Sequence, residues 1–254
     1  MPYLTLGSDE SYYETSGTGE PLLLLHGGYC SLENLRPLGE RLAERYEVHA
    51  PERTGHGRTP DRPGPFSYAR MLDETVAYLD AAGLDTVHVV GFSDGGILTL
   101  LLALEHPDRV RSIVPISANI GTDGFVPDDY PHETVPRAAH EQLDREYAEL
   151  SPDGPEHGAV VLEKLLAMWK VEPSIPAAAL ARIDAPTLVM AGEHDVIARD
   201  HTELIAASIS GARLVVMPGT THMLASERTD AVADEVLGFL GGVPSGAGSA
   251  SGRG

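Results

Sequence analysis

The sequence TVHVVGFSDGGILTLLLALEH, residues 86–106, decides the fold of this chain. Its first part is rich in valine, which favours a β-strand, and its last part is apolar on nearly every face, which predicts a buried helix. Between them lies the turn G-F-S-D-G at residues 91–95. A strand that runs directly into a helix turns so sharply that side chains two residues before and after the apex would clash, so both positions carry glycine. The stretch therefore predicts a strained turn that exposes the Ser93 hydroxyl at the top of a parallel sheet.

Strand and helix patterns alternate on both sides of this stretch. Short apolar or alternating runs predict strands at residues 3–6, 11–16, 21–25, 46–51, 110–117, 187–191 and 213–217. Helical patterns cover residues 32–45, 68–82, 201–210 and 229–240. This alternation is typical of an α/β protein with a mostly parallel sheet that is flanked by helices.

One internal segment departs from the alternation. Residues 120–183 contain many prolines and several acidic residues, carry helical patterns near 132–150 and 157–170, and lack strand signals. We predict a core formed by residues 1–119 and 184–240, with residues 120–183 inserted as a small helical cap. The last stretch, GGVPSGAGSASGRG at 241–254, is of low complexity and is predicted to be a flexible tail.

Composition limits the partners and the compartment. A formal net charge of -20 over 254 residues argues against nucleic acid or an anionic membrane as a partner, because both require a basic surface. Solubility is the simpler explanation of this charge, and attraction of cationic substrates is the alternative. The single cysteine, Cys30, allows no intrachain disulfide. No apolar run reaches the ~20 residues of a membrane span, and no signal peptide is recognisable, so we predict a cytoplasmic protein.

Candidate reactive residues follow the predicted strands. In an open parallel sheet, ligands bind beyond the carboxyl ends of the strands. Three predicted strands end at residues 25, 191 and 217, and they are followed by the sequences HGG, GEHD and PGTTH. With the turn at 91–95 they supply Ser93, Asp195 and His222, in the chain order serine, acid, histidine.

These motifs resemble those of the α/β-hydrolase superfamily over residues 1–240. They comprise HGG at 26–28, R-x-G-x-G at 53–57, GFSDGG at 91–96, GEHD at 192–195 and GTTH at 219–222, in the order of that family. Within the superfamily, the Ser-Asp-Gly-Gly turn and the helical insertion resemble the valacyclovir hydrolase (biphenyl hydrolase-like) group of small serine esterases.

The chemistry assigns a role to each candidate. A serine hydroxyl is a weak nucleophile until a base takes its proton, and His222 is the predicted base for Ser93. Asp195 would hold the imidazole in the required tautomer and stabilise the imidazolium. An oxyanion would need two N–H donors, predicted to be the backbone N–H of Asp94 and that of Gly28.

Other residues compete for these roles. Glu193 and Asp200 are alternatives to Asp195 as the acid, whereas the residues after the preceding strand, S-A-N at 117–119, offer no carboxylate. His26 is expected to be structural, and Cys30 to be a small residue in a crowded loop. No spacing of histidine and acidic residues suggests a metal site, and no cofactor is expected.

Predicted substrate contacts are Asp94, Tyr29 and Trp169. The Asp94 carboxylate could simply favour the helix N-terminus, by about 0.3–1 kcal/mol. The resemblance implies another role, since the acidic residue after the nucleophile binds the substrate's α-amino group in valacyclovir hydrolase-like enzymes. The aromatic and methionine side chains of the insertion could line a pocket or could form its own core; they are Phe125, Tyr130, Tyr147, Met168 and Trp169.

The predicted function is a cofactor-free serine hydrolase, most simply a carboxylesterase acting on a small ester. Serine at the turn argues against epoxide hydrolases and haloalkane dehalogenases, in which the same position carries aspartate. A thioesterase, a lactonase or a C–C bond hydrolase would use the same residues, and a non-catalytic binding protein on this fold is the alternative of another class. The predicted partner is a small-molecule substrate, and the sequence predicts no oligomeric state.

Overall fold

A computed structural model describes residues 3–7 and 9–244. Its centre is an eight-stranded sheet with the order β1-β2-β4-β3-β5-β6-β7-β8. The strands are β1 (Tyr3–Leu6), β2 (Asp9–Ser16), β3 (Glu20–Leu25), β4 (Tyr46–Pro51), β5 (Val87–Phe92), β6 (Val110–Ile116), β7 (Leu188–His194) and β8 (Arg213–Thr221). β1 and β2 pair antiparallel with their neighbours, and β3 to β8 run parallel. The predicted mostly parallel sheet is confirmed.

Helices cover both faces of the sheet. They are α1 (Arg36–Leu42), α2 (Tyr68–Ala81), α3 (Asp94–Glu105), α4 (Arg137–Leu150), α5 (Gly158–Trp169), α6 (Arg199–Ser208), α7 (Leu224–Glu227) and α8 (Thr229–Leu240). Residues of α1 and α8 pack on one face, and residues of α2 and α3 pack on the other. The described helices include none long and apolar enough to cross a membrane.

The central strands are buried on both faces because their side chains alternate between two hydrophobic clusters. In β5, Val89 belongs to the cluster with α2 and α3, whereas Val90 belongs to the cluster with α1 and α8. Leu23 and Leu24 of β3 divide in the same way. This arrangement explains why both strands have nearly continuous apolar sequences.

The prediction of one helix over residues 32–45 was wrong. The structure has a short 3-10 helix, Leu32–Leu35, followed by α1. The Ser31 hydroxyl caps the first segment by accepting from the N–H of Glu33. Pro37 stands in the first turn of α1, where its missing N–H is tolerated, and it cannot continue the preceding helix.

Three other boundaries also differ clearly from the prediction. α4 begins at Arg137 and not near residue 132, because Pro136 is extended, with φ -59° and ψ 140°. β7 and β8 continue beyond residues 191 and 217, where their apolar runs end. The strands stay close there because a Cβ on Gly192 would collide with the Thr221 carbonyl, so only glycine permits this approach. Polar strand ends give no apolar signal, so the sequence predicts both strands as too short.

The strand order locates the crevice of the sheet. From β3 the chain continues to β4 on one side, whereas β5 lies on the other side of β3 and is followed by β6, β7 and β8. In open α/β sheets the ligand site lies beyond the carboxyl ends of the strands at such a switch point. The loop after β3 and the turn after β5 therefore meet at this crevice.

The insertion between β6 and β7 carries α4 and α5. Residues 245–254 of the predicted tail 241–254 lie outside the described residues.

Candidate active site

Ser93 stands at the apex of the sharp turn between β5 and α3. Its φ is 53° and its ψ is -117°, a combination that is strained for any residue except glycine. A Cβ on Gly91 would collide with the Gly95 carbonyl, and a Cβ on Gly95 would collide with the Leu25 carbonyl. Both glycines are therefore required by close backbone approach, as the sequence predicts. The N–H of Ser93 donates to the Ile116 carbonyl at 2.8 Å and ties the turn to β6.

The three predicted reactive side chains lie in one hydrogen-bonded row. The distance from His222 Nε2 to Ser93 Oγ is 3.1 Å, and the distance from His222 Nδ1 to Asp195 Oδ1 is 2.6 Å. Each residue directly follows a strand, namely β5, β7 or β8. The geometry allows the imidazole to take a proton from the serine while the carboxylate orients its other nitrogen.

Asp195 is 2% exposed and is held by several donors. Oδ1 also accepts the N–H of Ile197 at 3.0 Å, and Oδ2 accepts the Ser117 hydroxyl at 2.5 Å. Burial raises the pKa of Asp195, but the His222 ring and these hydrogen bonds outweigh burial, so that its pKa lies below the ordinary value. The carboxylate is therefore ionised beside His222.

Ser117 is a member of the site that the sequence analysis missed. It follows β6 and adopts a positive φ of 54°. In the sequence, residues 117–119 showed only that no carboxylate follows this strand. Its position in the sequence could have predicted this contact. Ser117 follows β6, the neighbour of β7 in the sheet, and Asp195 follows β7.

The competing acids are engaged elsewhere. Glu193 accepts the N–H of Gly219 at 2.8 Å, and Asp200 accepts the N–H of His201 at 2.8 Å. Neither forms a hydrogen bond to His222 among the described residues. Their neighbouring histidines are also accounted for, since His201 accepts the N–H of Ile120 at 3.0 Å and His194 stacks on the ring of His132.

The two predicted N–H donors come from adjoining segments. Asp94 is the first residue of α3, and Gly28 lies three residues after β3. A Cβ on Gly28 would lie 2.5 Å from Asp94 Oδ2 and 2.5 Å from Trp169 Cζ2, so a larger residue at this position would have to displace one of these side chains. Neither backbone N–H donates to an acceptor within residues 3–7 and 9–244. Both segments border the cavity above Ser93.

The Asp94 carboxylate joins the core to the insertion. It is 3% exposed and accepts from Tyr68 Oη at 2.7 Å and from Trp169 Nε1 at 3.0 Å. Trp169 is the last residue of α5, so this hydrogen bond links α5 to α3. Burial raises the pKa of Asp94, and the positive charge of Arg53 opposes that rise. The carboxylate thus has a structural task, whatever it contributes to substrate binding.

A cavity of about 390 Å³ opens above Ser93 and His222. Most of its lining is apolar and comes from both the core and the insertion. The apolar lining side chains are Phe92, Phe125, Val135, Leu143, Leu162, Leu166, Trp169, Val196, Ile197 and Met223. Of the predicted contacts, Tyr29, Asp94 and Trp169 all border this cavity. Tyr147 and Met168 are buried within the hydrophobic core instead, and Tyr130 packs against the ring of His132.

The cavity is bordered by acidic side chains. Two carboxylates, Asp94 and Glu172, border it, and the described lining contains no lysine or arginine. Glu172 accepts the N–H of Tyr68 at 2.8 Å through Oε2. Within the described ranges, no group of three or more histidine, cysteine or acidic residues could hold a metal ion. Among the described lining residues, acidic side chains thus lack a lysine or arginine counterpart, which favours a neutral or cationic ligand over an anionic one.

The chain is similar in sequence to known hydrolases. A sequence profile described as the alpha/beta hydrolase family matches residues 22–235. The chain is 30% identical over 267 residues to a protein of Azorhizobium caulinodans described as a carbamate hydrolase, RutD, and the match covers 95% of this chain and 98% of that protein.

The chain is also similar to one protein over part of its length and to one crystal structure over nearly all of it. A 2-hydroxymuconate semialdehyde hydrolase of Pseudomonas sp. strain CF600 is 38% identical over 104 residues, which are 39% of this chain and 36% of that protein. The crystal structure of a hydrolase from Pseudomonas aeruginosa superposes with a TM-score of 0.76 at 28% identity, covering 94% of this chain and 97% of that chain.

Proposed function

Because the chain belongs to the alpha/beta hydrolase family, we propose that it is a serine hydrolase with Ser93, His222 and Asp195 as its catalytic triad. The observation that carries this proposal is the hydrogen-bonded row, in which His222 lies within reach of both Ser93 Oγ and Asp195 Oδ1. A nucleophile, its base and the group that orients the base are the elements of covalent acyl transfer.

In the first half of the proposed reaction, Ser93 Oγ attacks the carbonyl carbon of the substrate and forms a new C–O bond. The hydroxyl proton moves to His222 Nε2, and the Asp195 carboxylate stabilises the imidazolium. When the tetrahedral intermediate collapses, the bond to the leaving group breaks. The leaving group takes the proton from His222 and departs as an alcohol, while the acyl group remains on Ser93.

In the second half, a water molecule attacks the acyl carbon and His222 takes its proton. The bond between the acyl carbon and Ser93 Oγ then breaks, the serine regains the proton, and a carboxylic acid leaves. Both tetrahedral intermediates carry a negatively charged oxygen. We assign the stabilisation of this oxyanion to the backbone N–H groups of Gly28 and Asp94, which border the cavity beside Ser93.

We favour a small ester as the substrate, with residues 120–183 acting as a cap over the site. The apolar cavity of about 390 Å³ suits an uncharged acyl or alcohol group of modest size. A carbamate, a thioester or a lactone presents a similar carbonyl and is the nearest alternative. The relative from Pseudomonas sp. strain CF600 acts, by its name, on 2-hydroxymuconate semialdehyde, which bears a carboxylate. Asp94 and Glu172 line the cavity, and the described lining residues include no lysine or arginine. The cavity therefore fits that substrate less well. The cytoplasmic location stays a prediction from the sequence.

Hydrolysis of p-nitrophenyl esters from acetate to octanoate tests the proposal. We expect turnover by the wild-type protein and a decrease of at least about 10³-fold in kcat for Ser93→Ala, because the nucleophile is lost. Ser210→Ala, at an exposed position, is the matched control and should retain full activity. Equal turnover by Ser93→Ala and the wild type would contradict the proposal. The dependence on chain length would measure the acyl pocket.

A further inference from the structure

Arg53, in the R-x-G-x-G motif, has no role in the chemistry described so far. It follows β4 and is only 2% exposed, so its charge lies inside the protein. Its Nη2 donates to the carbonyl oxygen of Gly27 at 2.9 Å. A buried charge is costly unless it is compensated, so an arginine held here calls for a physical reason.

A second donor reaches the same carbonyl. The N–H of Arg53 donates to His26 Nε2 at 3.1 Å, which leaves the ring proton on Nδ1. Nδ1 lies 2.7 Å from the Gly27 carbonyl oxygen and therefore donates to it. His26 is thus structural, as the sequence analysis expected, and two donors converge on one oxygen.

Within residues 3–7 and 9–244, Arg53 is the only charged donor to this carbonyl. Burial lowers the pKa of His26 well below its ordinary value, and burial together with the charge of Arg53 lowers the pKa of His56 to about 3. Both rings are therefore neutral. Arginine keeps its charge even when burial lowers its pKa.

The Gly27 carbonyl shares a peptide unit with the N–H of Gly28. In a planar trans peptide the two groups point in opposite directions, so donors that fix the carbonyl also fix the N–H. Gly28 borders the same cavity as Ser93. A cation bound at the carbonyl also withdraws electron density through the amide, and neighbouring hydrogen bonds of this kind strengthen one another by roughly 10–30%.

We propose that Arg53 is a positioning residue that orients and polarises the Gly27–Gly28 peptide so that its N–H stabilises the oxyanion. This inference rests on the proposed serine hydrolase function. The effect is greatest when negative charge develops on the substrate oxygen, because a preorganised donor contributes most where charge appears in the transition state. Arg53 itself is not among the residues that line the cavity above Ser93.

Three substitutions separate charge from hydrogen bonding. Arg53→Lys keeps a charged donor, Arg53→Gln keeps a neutral donor, and Arg53→Met keeps neither. We expect kcat to fall in that order, by about tenfold to thirtyfold for Arg53→Gln, with KM changed by less than about twofold. The loss is smaller than the 10²–10³-fold typical of a deleted oxyanion donor, because Gly28 itself remains. A change in kcat without KM marks an interaction made only in the transition state.

Arg58→Gln is the matched control. Arg58 lies in the same loop and forms ion pairs with Glu33 and Glu52, but it has no hydrogen bond to Gly27. If Arg53 merely anchors this loop, Arg58→Gln should reduce kcat as much as Arg53→Gln does. Equal losses, or an unchanged kcat in Arg53→Gln, would overturn the inference. Melting temperatures of all variants show whether each is folded.

A trifluoromethyl ketone, which forms a tetrahedral oxyanion on an active serine, provides a second measurement. Across the Arg53 variants, its inhibition constant should rise in parallel with the loss of kcat/KM, whereas binding of the acid product should stay constant. Inhibition constants that do not follow kcat/KM would contradict the role of Arg53. Failure of the wild-type protein to bind the ketone or to turn over any ester would instead contradict the proposed function. Should Arg53→Met fail to fold, the lysine and glutamine variants retain the test.

Discussion

At the scale of single residues, the site depends on which carboxylate faces His222. Asp195 does so at 2.6 Å and is ionised, since its pKa lies below the ordinary value. Glu193, two residues earlier, accepts a backbone N–H of the loop after β8 instead. Substitutions of Asp195 and Glu193 therefore compare an acid that is hydrogen-bonded to His222 with a nearby acid that is not.

We predict that Asp195→Asn reduces kcat by about 10³–10⁴-fold, because the amide no longer stabilises the imidazolium or selects its tautomer. Glu193→Gln should keep kcat within about twofold of the wild type, since Glu193 makes no contact with the imidazole. Steady-state hydrolysis of a p-nitrophenyl ester measures both. A loss in Glu193→Gln as large as that in Asp195→Asn would mean that the acid has been misassigned.

The acidic lining of the cavity leads to a prediction about substrate charge. We expect a higher kcat/KM for an ester with an ammonium group than for the analogue that lacks it. The reason is that Asp94 and Glu172 border the cavity, whereas the described lining residues include no lysine or arginine. A hydrogen bond to a charged group contributes about 1.5–3 kcal/mol, which corresponds to at least a tenfold ratio of kcat/KM. Glu172→Gln should lower this ratio, and Asn119→Ala, which removes a neutral lining residue, should not. Equal kcat/KM values for the two wild-type substrates would exclude an ammonium site.

At the scale of elements, the turn between β5 and α3 depends on close backbone approach. Gly95→Ala places a Cβ against the Leu25 and His26 carbonyls, both of which are backbone atoms that cannot yield easily. We predict that it destabilises the fold by roughly 1–3 kcal/mol, as overpacked sites do. Gly238→Ala in α8 is the matched control, because its Cβ would meet nothing within 4 Å. That variant should gain about 0.5–1 kcal/mol from helix propensity. Urea unfolding measures both, and equal stabilities would contradict the argument.

The loop after β4 gives a prediction about pH. Glu52 is fully buried, and burial raises its pKa to about 6 from 4.5. The folded state therefore holds a proton that the unfolded state releases between these values, so this group's contribution to stability falls as pH rises from about 4.5 to 6. The free energy of unfolding of Glu52→Gln should gain up to about 2 kcal/mol relative to the wild type over that window. A constant difference between the two proteins from pH 4.5 to 6.5 would show that Glu52 has an ordinary pKa.

The elements also show what sequence patterns can predict. Apolar runs predicted the central strands, because these are buried on both faces, whereas the more exposed β1 and β2 were predicted from short alternating runs. The apolar runs placed the ends of β7 and β8 too early, because these ends are polar and are held by strand pairing at Gly192. The helical pattern over residues 32–45 did not predict the change from a 3-10 helix to α1 at Arg36.

At the scale of the whole molecule, the position of each residue after a strand predicted that Ser93, Asp195 and His222 lie together. Ser93, Asp195 and His222 are up to 129 residues apart, yet each follows a strand of one parallel sheet, so the topology brings them to one edge. The contributions of Ser117 and Arg53 escaped prediction, because they depend on which side chains converge when distant loops pack. The contact of Trp169 with Asp94 has the same origin, since it joins α5 of the insertion to α3 of the core.

The proposed function depends on Ser93 being a nucleophile that His222 activates. The most direct test is to treat the protein with a fluorophosphonate and to locate the adduct by peptide mass spectrometry. We predict one adduct, on Ser93, with no labelling in Ser93→Ala and labelling slowed by at least about 10²-fold in His222→Ala, because a serine without its base is a weak nucleophile. Absence of an adduct on the folded wild-type protein, or an adduct on another residue, would contradict this account.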